Sequence, residues 1–303
     1  MTSASPDPST PPPDRPYCGH GATADDPVGC CGIHVTGYTA CLAHLDETDR
    51  AAYLATLAPG ADVDHRDTTF TTRLLRRLLD ALRDPATGRP HLGAARFGGA
   101  TFTGTAVFGG ATFTGSAVFD RATFTHIAVF DGVTFTNDAR FEGASFTGAA
   151  RFDRTTFTGS AVFRGASFTH TARFGGASFT GFAVFRGASF THTAWFEGAS
   201  FTGAAWFDRT TFTGSAVFRG ASFTHTARFG GASFTGFARF DRTSFTNDAW
   251  FEGRLSPAPP GSAGRPSSTT PGSAGRGSSW RRTWGRWSVA GGWCSTVRCS
   301  SNR

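Results

Sequence analysis

Phenylalanine recurs through the middle of the chain with gaps that alternate between five and six residues. The series begins at Phe97, Phe102 and Phe108 and continues without a break to Phe251. Each 11-residue unit therefore carries two Phe, and fourteen units run from Phe97 to Trp250. A short fixed period is typical of a solenoid, in which each unit buries its apolar face only against the next copy.

Most Phe residues of the repeat follow an Ala by two positions, as in Ala95-Arg96-Phe97. Side chains alternate along a strand, so Ala and Phe point to one side and predict the interior. The short spacing leaves room for a corner between strands, and one corner alternates between Gly and Arg. The other carries residues that tolerate positive φ, so we expect left-handed backbone there: Gly104, Gly115, His126, Asn137, Gly148, Gly159, His170, Gly181, His192, Gly203, Gly214, His225, Gly236 and Asn247.

This Ala-x-Phe-x-x pattern resembles that of pentapeptide-repeat proteins. The alternating five- and six-residue steps are similar to the Phe-rich variant found in actinobacteria. The resemblance implies an all-β solenoid over residues 93–253, a right-handed quadrilateral parallel β-helix. Two of the repeat units would form one coil, which gives about seven coils.

The remaining chain divides into three further segments by composition. Residues 1–16 are a Pro-rich leader and residues 254–303 a basic Ser/Gly/Pro/Arg-rich tail, and both are predicted to be disordered. Residues 17–92 form a small Cys/His-containing domain with predicted helices over 46–57 and 71–83. The apolar stripe from Leu74 to Leu82 is predicted to cap the open end of the β-helix.

Charge is distributed unevenly along the chain. Residues 93–253 carry 13 Arg and 10 acids, a net +3, whereas residues 254–303 carry 8 Arg and no acid. Members of the resembled family that mimic DNA need a strongly acidic rod, so that function is not expected here. Nucleic-acid contact is expected only through the tail. No apolar leader or membrane-length apolar segment occurs in the sequence, which favours a cytoplasmic protein without membrane contact.

Seven potential metal ligands lie close together in the sequence: Cys18, His20, Cys30, Cys31, His34, Cys41 and His44. Cysteine and histidine are the usual ligands of structural Zn²⁺, which stabilises small domains with thin cores. We predict a structural zinc held by Cys18, Cys30, Cys41 and His44, with Cys31 and His20 as alternative ligands. The competing interpretations are small buried cysteines with incidental histidines, and a redox-active Cys30–Cys31 pair.

No nucleophile–base set, phosphate loop or paired carboxylates occur in the sequence, so we expect no enzyme and no other cofactor. The residues before Phe on two faces are Val, Arg or Trp, and exposed Trp and Arg dominate binding hot spots. We therefore predict a scaffold that binds an unknown protein through the following side chains: Arg151, Arg173, Trp195, Trp206, Arg228, Arg239 and Trp250.

Two further modes of binding are open at this stage. The other two faces carry Thr-x-Thr ladders, as in Thr101-Phe102-Thr103, which resemble the ladders of ice-binding β-helices. They could bind a repetitive lattice, although Thr is also an ordinary strand residue. No C-terminal cap is visible, so the last coil could pair with a second copy as a homodimer.

Overall fold

The computed structural model describes residues 14–251. The predicted disordered tail 254–303 and residues 1–13 of the predicted leader lie outside the described residues. The described chain contains a β-solenoid of about seven turns, built from four sheets whose strands have two residues each except for the four-residue strand Arg89–Leu92, which confirms the predicted fold class. The chain passes through the four sheets in a fixed order and returns to each one after two repeat units. We call them sheets I to IV in that order, so that I faces III and II faces IV across the core.

Sheets I and III carry the Ala-x pairs that precede Phe. Sheet I contains Val63–Asp64, Ala95–Arg96, Ala117–Val118, Ala139–Arg140, Ala161–Val162, Ala183–Val184, Ala205–Trp206, Ala227–Arg228 and Ala249–Trp250. Sheet III contains Ala106–Val107, Ala128–Val129, Ala150–Arg151, Ala172–Arg173, Ala194–Trp195, Ala216–Val217 and Ala238–Arg239.

Sheets II and IV carry the Thr/Ser-Phe pairs. Sheet II contains Thr69–Phe70, Thr101–Phe102, Thr123–Phe124, Ser145–Phe146, Ser167–Phe168, Ser189–Phe190, Thr211–Phe212 and Ser233–Phe234. Sheet IV contains Arg83–Asp84, Arg89–Leu92, Thr112–Phe113, Thr134–Phe135, Thr156–Phe157, Ser178–Phe179, Ser200–Phe201, Ser222–Phe223 and Ser244–Phe245. Every pairing is parallel except that of the first two strands of sheet IV, which form an antiparallel hairpin.

The interior consists of four columns of stacked Phe rings. Phe124 and Phe146 stack with centroids 4.7 Å apart and planes within 1° of parallel. Columns from facing sheets meet edge to face, as Phe130 after sheet III and Phe141 after sheet I do at 5.4 Å and 87°. Both arrangements are favourable for aromatic quadrupoles. The predicted inward side of Ala and Phe is therefore the core, and nearly all of these side chains are fully buried.

The prediction of left-handed backbone at the Gly/Asn/His corner is wrong. Positive φ occurs at the other corner, at Gly99 (φ 68°), Gly110 (φ 70°) and even Arg121 (φ 56°). There the amide of Ala100 donates to the carbonyl of Phe97 at 3.0 Å, which closes a tight turn. A turn with positive φ at its third residue favours Gly but accepts Arg at a cost of about 1–2 kcal/mol.

Glycine at the Gly/Asn/His corner has a different cause. A Cβ added to Gly148 would lie 2.4 Å from the carbonyl carbon of His126 in the preceding coil. The corner is therefore crowded between successive coils. Where Asn replaces Gly, its side chain bridges the coils instead, as Asn247 does by donating to the Thr224 carbonyl at 3.0 Å.

The parallel stacking begins earlier than the predicted boundary at residue 93. Val63–Asp64 pairs with Ala95–Arg96, and Thr69–Phe70 pairs with Thr101–Phe102. These strands form the terminal coil, which has another coil on one side only. Their inward side chains pack partly against the N-terminal domain, and this explains why they lack the Ala-x-Phe pattern. The repeat pattern in the sequence therefore marks only the interior coils.

Two helices lie where the sequence predicts them. Helix α1 spans Glu47–Thr56, and the Asp46 side chain caps it by accepting from the amide of Asp49. Helix α2 spans Thr72–Ala81 and buries its leucine stripe in the same core as the Phe columns. It lies along the chain between the first strand of sheet II and the hairpin of sheet IV, so it takes the place of a sheet III strand in the first coil. Helix α2 thus covers part of this side of the coil, and a groove remains between the helix and the strand Ala106–Val107.

His65 occupies the position of a core Phe in the first coil. It follows Val63 by two residues as Phe97 follows Ala95, and its side chain is fully buried. Its Nε2 lies 3.3 Å from the Tyr53 hydroxyl of α1, whereas its Nδ1 has no partner among the described residues. Burial lowers the pKa of His65 to about 4, so the ring is neutral in the fold.

We expect Phe152→Ala to destabilise the rod by about 3–5 kcal/mol, because it removes one ring from the middle of a stacked column. The measurement is the shift of the urea midpoint followed by circular dichroism. Ile127→Ala is the control, since Ile127 is 44% exposed and its truncation should cost no more than about 0.5 kcal/mol. Equal effects of the two substitutions would contradict the assigned interior.

The neutral His65 predicts a pH dependence of stability. Its pKa in the fold is about 4 against 6.5 as the reference value, so between these values the unfolded chain binds the extra proton. The free energy of unfolding should therefore fall as pH decreases, by about 2 kcal/mol between pH 7 and pH 5. His65→Phe should abolish this component in denaturant titrations at the two pH values. Parallel pH profiles for the variant and the parent would show that His65 does not cause it.

Candidate metal centre and exposed aromatic patch

A short antiparallel ribbon brings Cys18 close to Cys30. The amide of Cys18 donates to the Gly32 carbonyl at 2.9 Å, and the amide of Gly19 donates to the Cys30 carbonyl at 2.8 Å. The Gly32 amide in turn points at the Cys30 Sγ at 3.4 Å. This ribbon fixes two of the predicted ligands.

A helical turn supplies the other two ligands. The amides of His44 and Leu45 both donate to the Cys41 carbonyl, which places Cys41 and His44 on one side of the turn. Gly32 permits the turn to approach the ribbon, because a Cβ at this position would lie 2.8 Å from the Cys41 Cβ. The two local structures therefore meet only where the ribbon has no side chain.

The four predicted ligands converge on one point. The ligand atoms of Cys18, Cys30, Cys41 and His44 all lie within 4.8 Å of one another. Cys30 Sγ and Cys41 Sγ are 3.8 Å apart, and His44 Nδ1 lies 3.4 Å from the Sγ atoms of both Cys18 and Cys41. Tetrahedral zinc, with bonds of about 2.3 Å to sulfur and 2.0 Å to nitrogen, requires separations of roughly 3.8 and 3.5 Å. The donor set therefore fits a metal ion of this size and geometry.

The thiols interact even without an ion. The hydrogen bond with Cys41 lowers the pKa of Cys30 to about 5, and the same bond raises the pKa of Cys41. One sulfur is thus already stabilised as the thiolate form that binds metals. The negative charge of this thiolate would compensate part of the charge of a bound cation.

The two alternative ligands lie beside the cluster rather than in it. The His20 ring stacks on that of His44, with centroids 4.1 Å apart and planes 20° from parallel. Cys31 Sγ instead faces the Gly29 carbonyl at 3.8 Å, and burial raises the pKa of its thiol. The geometry therefore brings together the four first-choice ligands, with His20 and Cys31 beside them.

The cluster is attached directly to the first coil of the solenoid. The amide of Ile33 donates to the Arg66 carbonyl at 3.0 Å, and Arg15 forms an ion pair with Asp67. Arg66 and Asp67 form the corner that follows His65. An ion held by the four ligands would therefore fix the chain that covers this end of the Phe columns.

The predicted partner residues do not form one surface. Arg151, Arg173, Trp195 and Arg239 lie in one row on sheet III, and Trp206, Arg228 and Trp250 lie in one row on the facing sheet I. The arginines are also engaged within the rod: Arg151 pairs with Asp131, Arg173 with Asp153 at 2.7 Å, Arg228 with Asp208 at 3.4 Å and Arg239 with Asp241 at 2.9 Å. Each of these four arginines therefore already has a carboxylate partner within the rod.

An exposed aromatic residue that the repeat pattern did not lead us to predict lies beside Trp206. Phe182 is 51% exposed, and its ring centroid lies 5.5 Å from that of Trp206. Val184 pairs with Trp206 on the neighbouring strand, and its side chain is buried. We call Phe182, Val184 and Trp206 the aromatic patch. The available signal was Phe at the position before Ala-x-Phe, which is otherwise small or polar in most units. Phe237, 63% exposed, repeats this departure on sheet III.

The threonine ladders on sheets II and IV are tied to the backbone. The Oγ1 of Thr125 donates to the Phe102 carbonyl at 3.0 Å, and Thr136 does the same to Phe113. Similar bonds recur at Thr147, Thr169, Thr202, Thr224 and Thr235. In these Thr-x-Thr and Ser-x-Thr triplets, the hydroxyl that follows Phe therefore donates its proton to the backbone of the preceding coil.

Comparison with known proteins identifies the class that this fold defines. The family profile described as pentapeptide repeats (nine copies) matches residues 97–145, 119–167, 141–189, 163–211 and 207–253. Together these stretches cover 97–253, just over half of the chain, so the chain belongs to the pentapeptide-repeat family. No curated protein and no solved structure matches it. Among the described residues, no helix has the length and apolarity needed to cross a membrane.

Proposed function

We propose that this protein is a non-enzymatic scaffold whose rod presents the aromatic patch to a protein partner. The observation that carries this proposal is the half-exposed Phe182 ring against Trp206. Large exposed aromatic side chains cost solubility and are enriched at binding hot spots.

The surroundings of the patch support the same function. Arg186 and Arg228 both approach the carboxylate of Asp208, at 3.5 and 3.4 Å, which sets an ion-pair network beside the aromatic rings. An apolar centre with a charged rim is the usual composition of a protein–protein interface. The rigid sheet beneath holds the rings in place, so little side-chain entropy is lost on binding.

The second part of the proposal is a structural zinc bound by Cys18, Cys30, Cys41 and His44, beside the first coil of the solenoid. All four first-choice ligands are protein side chains, which leaves no position for a substrate and is typical of structural sites. The ion would hold the ribbon, the helical turn and the first corner of the solenoid together. Its contribution would therefore be to the stability of the terminal coil.

Zinc analysis of the purified full-length chain tests this part. We expect about one zinc per chain, and loss of both the metal and several degrees of thermal stability in Cys30→Ser. Cys31→Ser is the matched control, because its sulfur points away from the cluster, and it should retain both. A zinc content well below one per chain, or equal loss in the two variants, would contradict the assignment.

Affinity capture from the source cells tests the scaffold function. We expect Phe182→Thr/Trp206→Thr to lose a bound protein that the parent retains, with direct binding then weakened by at least about tenfold in calorimetry. Phe237→Thr on the facing sheet is the control for a general loss of surface apolarity. If no captured protein distinguishes the two variants, the patch is not a partner site.

A further inference from the structure

The first coil of the solenoid has only three of its four strands. Sheet III has seven strands and begins with Ala106–Val107, because α2 replaces the strand that would precede it. Ala106–Val107 is therefore an edge strand within the described part of the chain. An unpaired edge is the usual template for an added strand.

Comparison with sheet I shows which backbone groups this leaves without a strand partner. There, the amides of Val63, His65 and Asp67 donate to three carbonyls of the next coil at 2.8 to 2.9 Å. The equivalent carbonyls on sheet III belong to Thr105, Val107 and Gly109. The first accepts from Thr72 Oγ1 at 3.0 Å. Within residues 14–251, the structure shows no donor for the other two.

A groove runs along this edge. It has a volume of about 340 Å³ and lies between α2, the hairpin of sheet IV and the edge strand. Leu75 and Leu79 form part of its wall, and Val107, half exposed, lies at the edge strand. This volume is at the small end of the range for ligand pockets, roughly 300–1,000 Å³. A groove of this size along an edge strand accommodates a short extended segment, and Val107 is the exposed apolar side chain that such a segment would cover.

The charges along the groove are predominantly positive. Arg76, Arg83 and Arg89 line it together with one acid, Asp80. Asp80 pairs with Arg83 at 2.6 Å and lies 4.0 Å from Arg76. Arg89 has no carboxylate partner among the described residues. An occupant with acidic side chains would therefore complete the charge balance.

We propose that this groove binds an extended acidic segment of another protein, which adds to sheet III as the strand that the first coil lacks. The carbonyls of Val107 and Gly109 are exposed acceptors in a row, and a peptide backbone supplies N–H donors at the matching spacing, which a phosphate backbone does not. The chain's own ends do not fit. Residues 1–13 contain five Pro, which have no N–H, and residues 254–303 are basic without an acid.

The probe for this site is a short acetylated and amidated peptide of alternating Glu and Val, carrying a fluorophore. With the full-length protein we expect saturable binding, weakened about three- to thirtyfold in Arg76→Ser/Arg89→Ser. Arg73→Ser is the matched control, because Arg73 is an exposed arginine of the same helix outside the groove, and it should bind within about twofold of the parent. Bound peptide should slow hydrogen exchange in the segment that contains Val107.

A second probe separates strand addition from simple charge attraction. The matched depsipeptide has backbone esters in place of amides and cannot donate to Val107 and Gly109, so it should bind at least about tenfold more weakly. Equal binding of the two probes, equal loss in the Arg73 control, or no binding at about millimolar peptide would each overturn the proposal. Preference for an oligonucleotide over the peptide would do the same. The aromatic patch lies on sheet I, so Phe182→Thr should leave this binding unchanged, and the two proposals fail independently.

Discussion

The rod depends on the stacking of each Phe ring on the equivalent ring of the next coil. The two rings of a pair such as Phe201 and Phe223 lie 4.5 Å apart and almost parallel, which matches the spacing of hydrogen-bonded strands. The ring column and the sheet therefore share one repeat length, and neither can change without the other. This is why Phe, flat and apolar, is repeated with so little variation.

Stacking of this kind leaves the two ends as the weak points of the molecule, because a terminal ring has a neighbour on one side only. At the N-terminal end, residues that do not belong to the repeat cover the terminal rings. His65 takes a ring position with its Nε2 3.3 Å from the Tyr53 hydroxyl, and burial raises the pKa of that Tyr to about 12, so its hydroxyl stays protonated. Beyond this contact, the chain around the Cys/His cluster contacts the first corner through the Ile33 amide and the Arg15–Asp67 ion pair.

The sequence predicted the interior coils well because so short a period leaves few ways to bury two Phe per unit. The bounds of α1 and α2 and the convergence of Cys18, Cys30, Cys41 and His44 also follow from local pattern and ligand chemistry. The corner conformation did not, because Gly serves two purposes here: positive φ at Gly99 and close approach at Gly148. Residue type alone does not distinguish them. The start of the solenoid at Val63 could not be predicted, because the side chains of the terminal coil pack partly against the N-terminal domain and so do not follow the Ala-x-Phe repeat.

The regular surface of the rod is largely explained by its own stability. Arginines pair with aspartates of the neighbouring corner, as Arg140 does with Asp120 at 2.7 Å, and threonines bond to the coil before them. A residue that recurs once per coil thus has a structural role in the contacts between coils, so its recurrence does not indicate a binding function. The features that the period does not explain include Phe182 and Phe237, the helix in place of a strand, and the four convergent Cys and His side chains. Binding functions should be sought at these interruptions, since a side chain or backbone group there has no repeat partner to satisfy it.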